Sequence, residues 1–206
     1  MKKNLAISGG TGSGDDPFVI NQGNDINYVD SFVKLGNDTY KVIGDSNGVV
    51  RLALAGYATS NGNILTTEYS NSNSLFTNKN RNNIGYYLNT SYYSSLSYYN
   101  ILVDSNFGLG EISNDSGLLF KNSFNSIGTF KVGMMSMFDY NTNMALDDYF
   151  LLNTTSEVGS MVYVYHSNGL LEEARVTDSK RVVPVISVSR STFTKGTGSF
   201  NDPYTI

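Results

Sequence analysis

The chain contains no cysteine, no tryptophan, three prolines and a single histidine in 206 residues. Without thiols there is no disulfide, no thiolate metal site and no cysteine nucleophile, and one histidine excludes His-rich metal cages and chemistry built on several histidines. Charge is also sparse. Charged residues make up 16% of the chain, and 14 Lys+Arg against 18 Asp+Glu leave a net charge of −4, so no basic footprint for nucleic acid exists. Nowhere do 18 apolar residues run together, so no segment reads as spanning a bilayer.

What is abundant is uncharged and polar: 25 Asn and 26 Ser, beside 15 Tyr and 20 Gly. A surface made polar by amides and hydroxyls instead of ion pairs has the make-up expected of an exported protein, which places the chain outside the cell or on its surface. The length suits one large domain or two small ones with a real core. Met1-Lys2-Lys3 resembles the start of a signal peptide, but Leu5-Ala6-Ile7 is too short an apolar stretch. It reads as a truncated or re-started terminus, with an ordinary cytosolic start as the alternative. The Asn-x-Ser/Thr triplets at Asn37, Asn89, Asn114 and Asn153 arise by chance at this composition and carry no weight as glycan sites.

The strongest internal signal is a repeat. Eleven residues from Gly10 to Ile20 return from Gly196 to Ile206 at an offset of 186, with seven positions identical and Phe18 exchanged for Tyr204. Gly-Thr-Gly-Ser makes a flexible turn, and Pro17 and Pro203 push the preceding aspartates into extended geometry. Phe18 and Ile20, like Tyr204 and Ile206, then share one face of a short strand that can dock on an apolar surface. A phosphate-binding loop would need a Gly-Lys-Ser/Thr ending, which is missing. The pattern therefore divides the chain into a linker tag at 1–20, one domain at 21–195, and a second tag at 196–206.

Within the domain, Phe32–Leu35, Tyr40–Ile43 and Val49–Leu54 read as strands, with Asp45–Gly48 as a hairpin tip and not a calcium loop. Residues 55–83 read as a long irregular excursion. Leu88, Tyr92, Leu96 and Tyr99 recur at helical spacing and predict a helix over 90–99 capped by Asn89. The pairs Tyr86-Tyr87, Tyr92-Tyr93 and Tyr98-Tyr99 could stack sugars, but one member of each is expected in the core. Phe130–Met135 alternates as a strand, and Ser136 with Asp139 fits a helix start or turn. Tyr149–Leu152 and Met161–Tyr165 are strands, Asn168-Gly169 marks a hairpin, and Val182–Val188 is a last strand in which Pro184 requires an edge, a start or a bulge. One sparse helix among many strands argues an α+β domain.

The ordering Tyr40–Ile43, Val50–Leu54, Tyr87–Asn89, Tyr92–Leu96, Val132–Ser136, Asp139-Tyr140, Phe150–Leu152, Tyr163-Val164, Asn168-Gly169 and Val183–Val185 resembles a family of bacterial surface domains. Those domains are similar to the C-type-lectin-like fold shared by formylglycine-generating enzymes and variable receptor-binding proteins, and the segment Gly196–Ile206 matches their ending. The resemblance implies that strands near the two ends pair, that the helix packs on their sheet, and that a second sheet carries the Asn168-Gly169 hairpin. It implies ligand binding by the second sheet and long loops, without assigning a residue. The family's usual tryptophans are missing, Val183 stands where an arginine is customary, and the copper-binding cysteines have no counterpart, so the oxidase activity is not carried over.

His166 reads as a solvated hairpin residue, and Asp147-Asp148 as solvated acids with calcium binding the alternative. Glu172-Glu173, being adjacent, would point to opposite faces of a strand and so spoil the paired carboxylates of a glycosidase. No catalytic residue, metal ligand or cofactor is assigned. The expectation is a non-catalytic recognition or adhesion module, with a surface glycan or protein and neighbouring domains as partners, and no nucleic acid or membrane insertion. A pilin-like or filament-forming subunit, its tag adding to a neighbour as a strand, is the alternative; a glycan-active enzyme is the third reading.

Overall fold

The computed structural model describes residues 7–9, 19–20, 28–72, 74–112, 124–137, 139, 144–155 and 160–206. Met1 to Ala6, Gly10 to Phe18 of the repeat, Asn114 and Tyr140 lie outside them. The described strands are β1 (Ile7–Gly9), β2 (Val19–Ile20), β3 (Phe32–Leu35), β4 (Asp38–Ser46), β5 (Val49–Leu54), β6 (Thr59–Ser60), β7 (Asn63–Ile64) and β8 (Thr66–Glu68). After the helical region come β9 (Ser105–Ile112), β10 (Phe124–Phe130), β11 (Val132–Met134), β12 (Tyr149–Thr154), β13 (Met161–Tyr165), β14 (Leu171–Arg175), β15 (Ser179–Val182) and β16 (Pro184–Ser189).

Two five-stranded sheets organise the molecule, in an architecture that is mostly β with little helix. The first runs β11-β16-β5-β4-β3 with every neighbour antiparallel; the second runs β14-β13-β12-β15-β8, antiparallel except where β12 meets β15. β5 near one end of the chain thus pairs with β16 near the other. The Asn168-Gly169 hairpin lies in the second sheet, as expected. All six residues of β12 are buried, the pattern of a strand covered on both faces.

Pro184 makes the corner between the sheets. β15 belongs to the second sheet and β16 to the first, with only Val183 between them, so the single last strand expected over 182–188 is broken where it changes sheet. Proline is tolerated there because it is the first residue of its strand. The corner is stitched on both sides: Met135 N–H donates to Val183 O at 3.4 Å, and Leu152 N–H donates to Met135 O at 2.7 Å. Leu35, Leu52, Val185 and Ile186 from the first sheet and Phe150, Leu151, Val162 and Val164 from the second enter one continuous core. Each such side chain contributes about 1.5–3 kcal/mol by leaving water.

The helix differs from its expected position. It starts six residues earlier, as α1 (Ile84–Tyr87), continues through a π-helical stretch (Leu88–Tyr92) and ends in α2 (Tyr93–Ser95). Asn83 is the cap: its Oδ1 accepts from Gly85 N–H at 2.9 Å and from Thr77 N–H at 3.1 Å. Asn89 instead lies within the helical stretch and fastens it to β11, accepting from Lys131 and Val132 N–H, both at 3.1 Å, and donating to Val132 O at 2.7 Å. Leu88, Tyr92 and Leu96 are buried as the spacing requires. Tyr99 is 48% exposed, because Leu96 turns extended and the periodicity stops with the helix.

Ser136 does not open a helix in the described residues. Its N–H and Oγ both bond Asp139 Oδ2, at 2.9 and 2.6 Å, and Asp139 N–H returns to Ser136 O to close a turn.

The C-terminal copy of the repeat is seated along β3. Phe32 N–H donates to Gly198 O, Tyr204 N–H to Phe32 O, and Lys34 N–H to Tyr204 O, at 2.8, 2.8 and 2.7 Å. The Tyr204 ring meets Tyr28 at 5.1 Å and stacks on Phe193 at 5.8 Å between centroids. Of the two side chains expected to dock, Tyr204 packs against the core while Ile206 stays 51% exposed.

Candidate binding clefts

A cleft of about 550 Å³ opens where the β3–β4 turn, the chain after β5 and the end of the helix converge. Gly36 lets the turn approach closely: its φ is +58°, and a Cβ there would lie 2.7 Å from Ser97 Oγ. Asp38 enters at the start of β4, Tyr57 follows β5, and Tyr98 stands just past the extended Leu96.

These side chains form a directed hydrogen-bond chain. Tyr98 donates its hydroxyl proton to Asp38 Oδ2 at 2.5 Å, so the 2.6 Å contact between the Tyr40 and Tyr98 hydroxyls has Tyr40 as donor. Burial, then the bond to the Asp38 carboxylate, holds the Tyr98 phenol well above its ordinary pKa; burial does the same for Tyr40 and Tyr92. The hydroxyls therefore stay protonated and the carboxylate is held in one orientation. Tyr57 is fixed as firmly, since its hydroxyl donates to Asp147 O at 2.9 Å, accepts from Asp147 N–H at 2.8 Å, and its ring lies 5.1 Å from the Arg181 guanidinium carbon. The rest of the rim is Asn37, Thr39, Thr59, Ser95 and Ser97. An oriented carboxylate, a fixed aromatic and many small hydroxyls suit a neutral, hydroxyl-rich ligand.

A second cleft of about 530 Å³ lies between β8 and the helix start, lined by Glu68, Asn71, Arg81, Tyr87 and Ser179 among others. Its floor at Asn83 is committed to capping the helix.

The residues weighed from the sequence are dispersed. Tyr92 and Tyr98 are buried and Tyr87 packs against the core, one member of each pair; Tyr86 is half-buried, and Tyr93, itself partly packed on the core, meets the exposed Tyr99 edge to face at 5.7 Å, so these two offer no flat platform. His166 is less solvated than expected: its side chain is 24% exposed, with Nε2 2.9 Å from Glu172 Oε2 and Nδ1 3.5 Å from Asp147 Oδ1. Asp147 Oδ1 accepts from Ser167 N–H at 2.8 Å, which together with neighbouring polar groups holds its carboxyl below the usual range. Asp148 pairs instead with Lys180 at 2.6 Å, so the two adjacent acids serve different partners. Among the described residues, no three of His, Asp and Glu come together in a group able to hold a metal ion. Asp45, at the hairpin tip, has its carboxylate buried against Arg190. Asn89 and Asn153 both spend their amides on backbone groups, Asn153 on Met137 N–H and the carbonyls of Gly108 and Gly110.

Asp38 and Tyr57 were invisible as a pair in the sequence, being nineteen residues apart and in unremarkable company. Only the hairpin that brings β4 and β5 together makes them neighbours. No described helix is long and apolar enough to cross a membrane. Against protein-family models, curated proteins and solved structures alike, the chain has no match.

Proposed function

We propose that the chain is a non-catalytic recognition or adhesion module of a bacterial surface protein, held outside the cell, that binds a hydroxyl-rich ligand such as a glycan in the Asp38 cleft. The observation that carries this reading is the Tyr40–Tyr98–Asp38 chain, which fixes a carboxylate in one orientation at the cleft. The uncharged polar composition favours an extracellular setting. A C-type-lectin-like fold is the finer structural reading, supported by the pairing of β5 with β16 and by the second sheet that carries the Asn168-Gly169 hairpin.

Screening the purified protein on a glycan array, alongside Asp38→Asn and Tyr57→Ala, tests this. A bound glycan should lose roughly 10-fold to 100-fold in affinity on Asp38→Asn, the worth of one or two hydrogen bonds to a charged group. Glycan binding that neither substitution weakens would remove the cleft from the reading. Turnover of a glycan, abolished by Glu172→Gln, would replace the reading with an enzyme.

A further inference from the structure

The seat along β3 is occupied by Thr194–Ile206, and the chain holds a second copy of the occupant. We infer that the β3 edge is a receptor for the Ile7–Ile20 segment of a second copy of this chain, so that copies can join head to tail. This goes beyond the recognition reading and uses a different face of the molecule.

The fit is position by position. Gly196 and Gly198 have φ of +94° and +78°, and a Cβ would lie 2.2 Å from Pro203 O at the first and 2.4 Å from the Tyr204 ring at the second. Gly10 and Gly12 stand at the equivalent positions. Asp202 closes the loop by accepting Thr197 N–H at its Oδ2 and Gly198 N–H at its carbonyl, both at 3.0 Å, while Ser199 Oγ accepts from Asp202 N–H at 3.0 Å. Thr11, Ser13 and Asp16 keep all three of these residues. Phe18 supplies the ring of Tyr204 without its hydroxyl. The differing residues Phe200 and Asn201, which become Gly14 and Asp15, are exposed in the seated copy. The 5.2 Å contact of Phe200 with Phe32 is lost in the exchange.

A second observation is independent of that sequence match. Lys195 pairs antiparallel with Thr205, and 186 residues earlier Gly9 pairs antiparallel with Val19 in β1 and β2. Gly9 with Val19 and Lys195 with Thr205 are thus equivalent pairs in the two copies. In the seated copy this pair leaves the outward backbone groups of Tyr204 to add to β3, which is the outermost strand of the first sheet. A contact in which one copy's terminus fills another copy's β3 is heterologous and propagates as an open chain.

In the unaltered protein the covalently attached strand competes for the seat at high effective concentration, so joining of copies is read most clearly once that strand is displaced. Two experiments on the full chain test the inference. The first converts the seated copy into the other one with F200G, N201D, Y204F and T205V, and follows hydrogen exchange at the Phe32 and Lys34 amides. Protection within about 10-fold of the original is expected, the cost of one lost aromatic contact. Protection falling to the level of Tyr204→Ala overturns the fit. The second uses Tyr204→Ala to vacate the seat and reads mass by sedimentation. The expected result is concentration-dependent association, returned to a single copy by adding Phe18→Ala. A monomer at every concentration, or association that Phe18→Ala leaves intact, overturns the joining of copies even where the first experiment succeeds. Glycan binding at Asp38 is unaffected by either outcome.

Discussion

The two large sheets guard their outer strands by different means. β3, at the edge of the first, buries Val33 and Leu35 completely and has its open backbone groups satisfied by Gly198 and Tyr204. β14, at the edge of the second, buries only Ala174 and presents Glu172, Glu173 and Arg175 to solvent. An uncovered apolar edge invites pairing with another chain, whereas charge on an edge discourages it. The first edge is therefore closed by a segment of its own chain and the second by charge. Backbone cover and surface charge are thus two ways of closing a sheet edge within one molecule.

Raising the pH asks first whether sheets so differently finished still unfold as one. Tyr40, Tyr92 and Tyr98 lie by the first sheet and Tyr69 and Tyr149 by the second, and burial raises the pKa of all five. A raised folded pKa means that the folded form keeps protons the unfolded form has lost, so stability is full below pH ~10 and falls above it. Each group removes up to about 1.4 kcal/mol per pH unit in that window. Tyrosinate absorbance should then rise in one step together with loss of the far-ultraviolet signal. Two separated steps would show the sheets to be independent units.

The next largest effect is expected at Asp45, whose side chain is 2% exposed against Arg190 and ties the β4–β5 hairpin to the turn after β16. Asp45→Ala leaves that guanidinium, itself 12% exposed, without its carboxylate and should cost about 3–5 kcal/mol in urea unfolding. A loss as small as that of a surface pair would mean that solvent reaches the arginine.

Two turn glycines sharpen the contrast between the edges directly. Gly169 at the β13–β14 turn and Gly198 beside β3 have similar φ, +84° and +78°, but a Cβ meets nothing within 4 Å at the first and the Tyr204 ring at the second. Gly169→Ala should therefore cost about 1 kcal/mol, the backbone strain alone. Gly198→Ala adds displacement of the covering ring and should cost about 2–3 kcal/mol. Equal costs in thermal unfolding would show that the cover adds nothing to the strand beneath it.

How far the chain could be read in advance follows from the same local physics. Val49–Leu54, Met161–Tyr165 and the Asn168-Gly169 turn were legible because alternation and turn chemistry are properties of a few consecutive residues. The helix start was not, because its second residue is Gly85, a poor helix former kept where a Cβ would lie 2.7 Å from the Thr77 carbonyl. The excursion that packs there hid the cap at Asn83 and made Asn89 look like one. The Asp38 cleft was hidden for a related reason: each of its residues is ordinary, and only long-range strand pairing assembles them. The repeat, by contrast, was legible as sequence, while its seat on β3 needed the fold.

The smallest effect falls on the edge that charge protects. Glu172 meets His166 at 2.9 Å, but its side chain is 62% exposed, so solvent screens the pair and ordering it consumes side-chain entropy. Glu172→Gln should shift unfolding by no more than about 0.5 kcal/mol, with added salt making little difference. What the substitution tests is association: a neutral side chain leaves Glu173 and Arg175 as the exposed charges flanking that position on β14. Sedimentation of the variant should give the same mass as the unaltered chain, because two remaining charges keep the strand edge apart. Association through β14 would instead locate the protection in Glu172 alone.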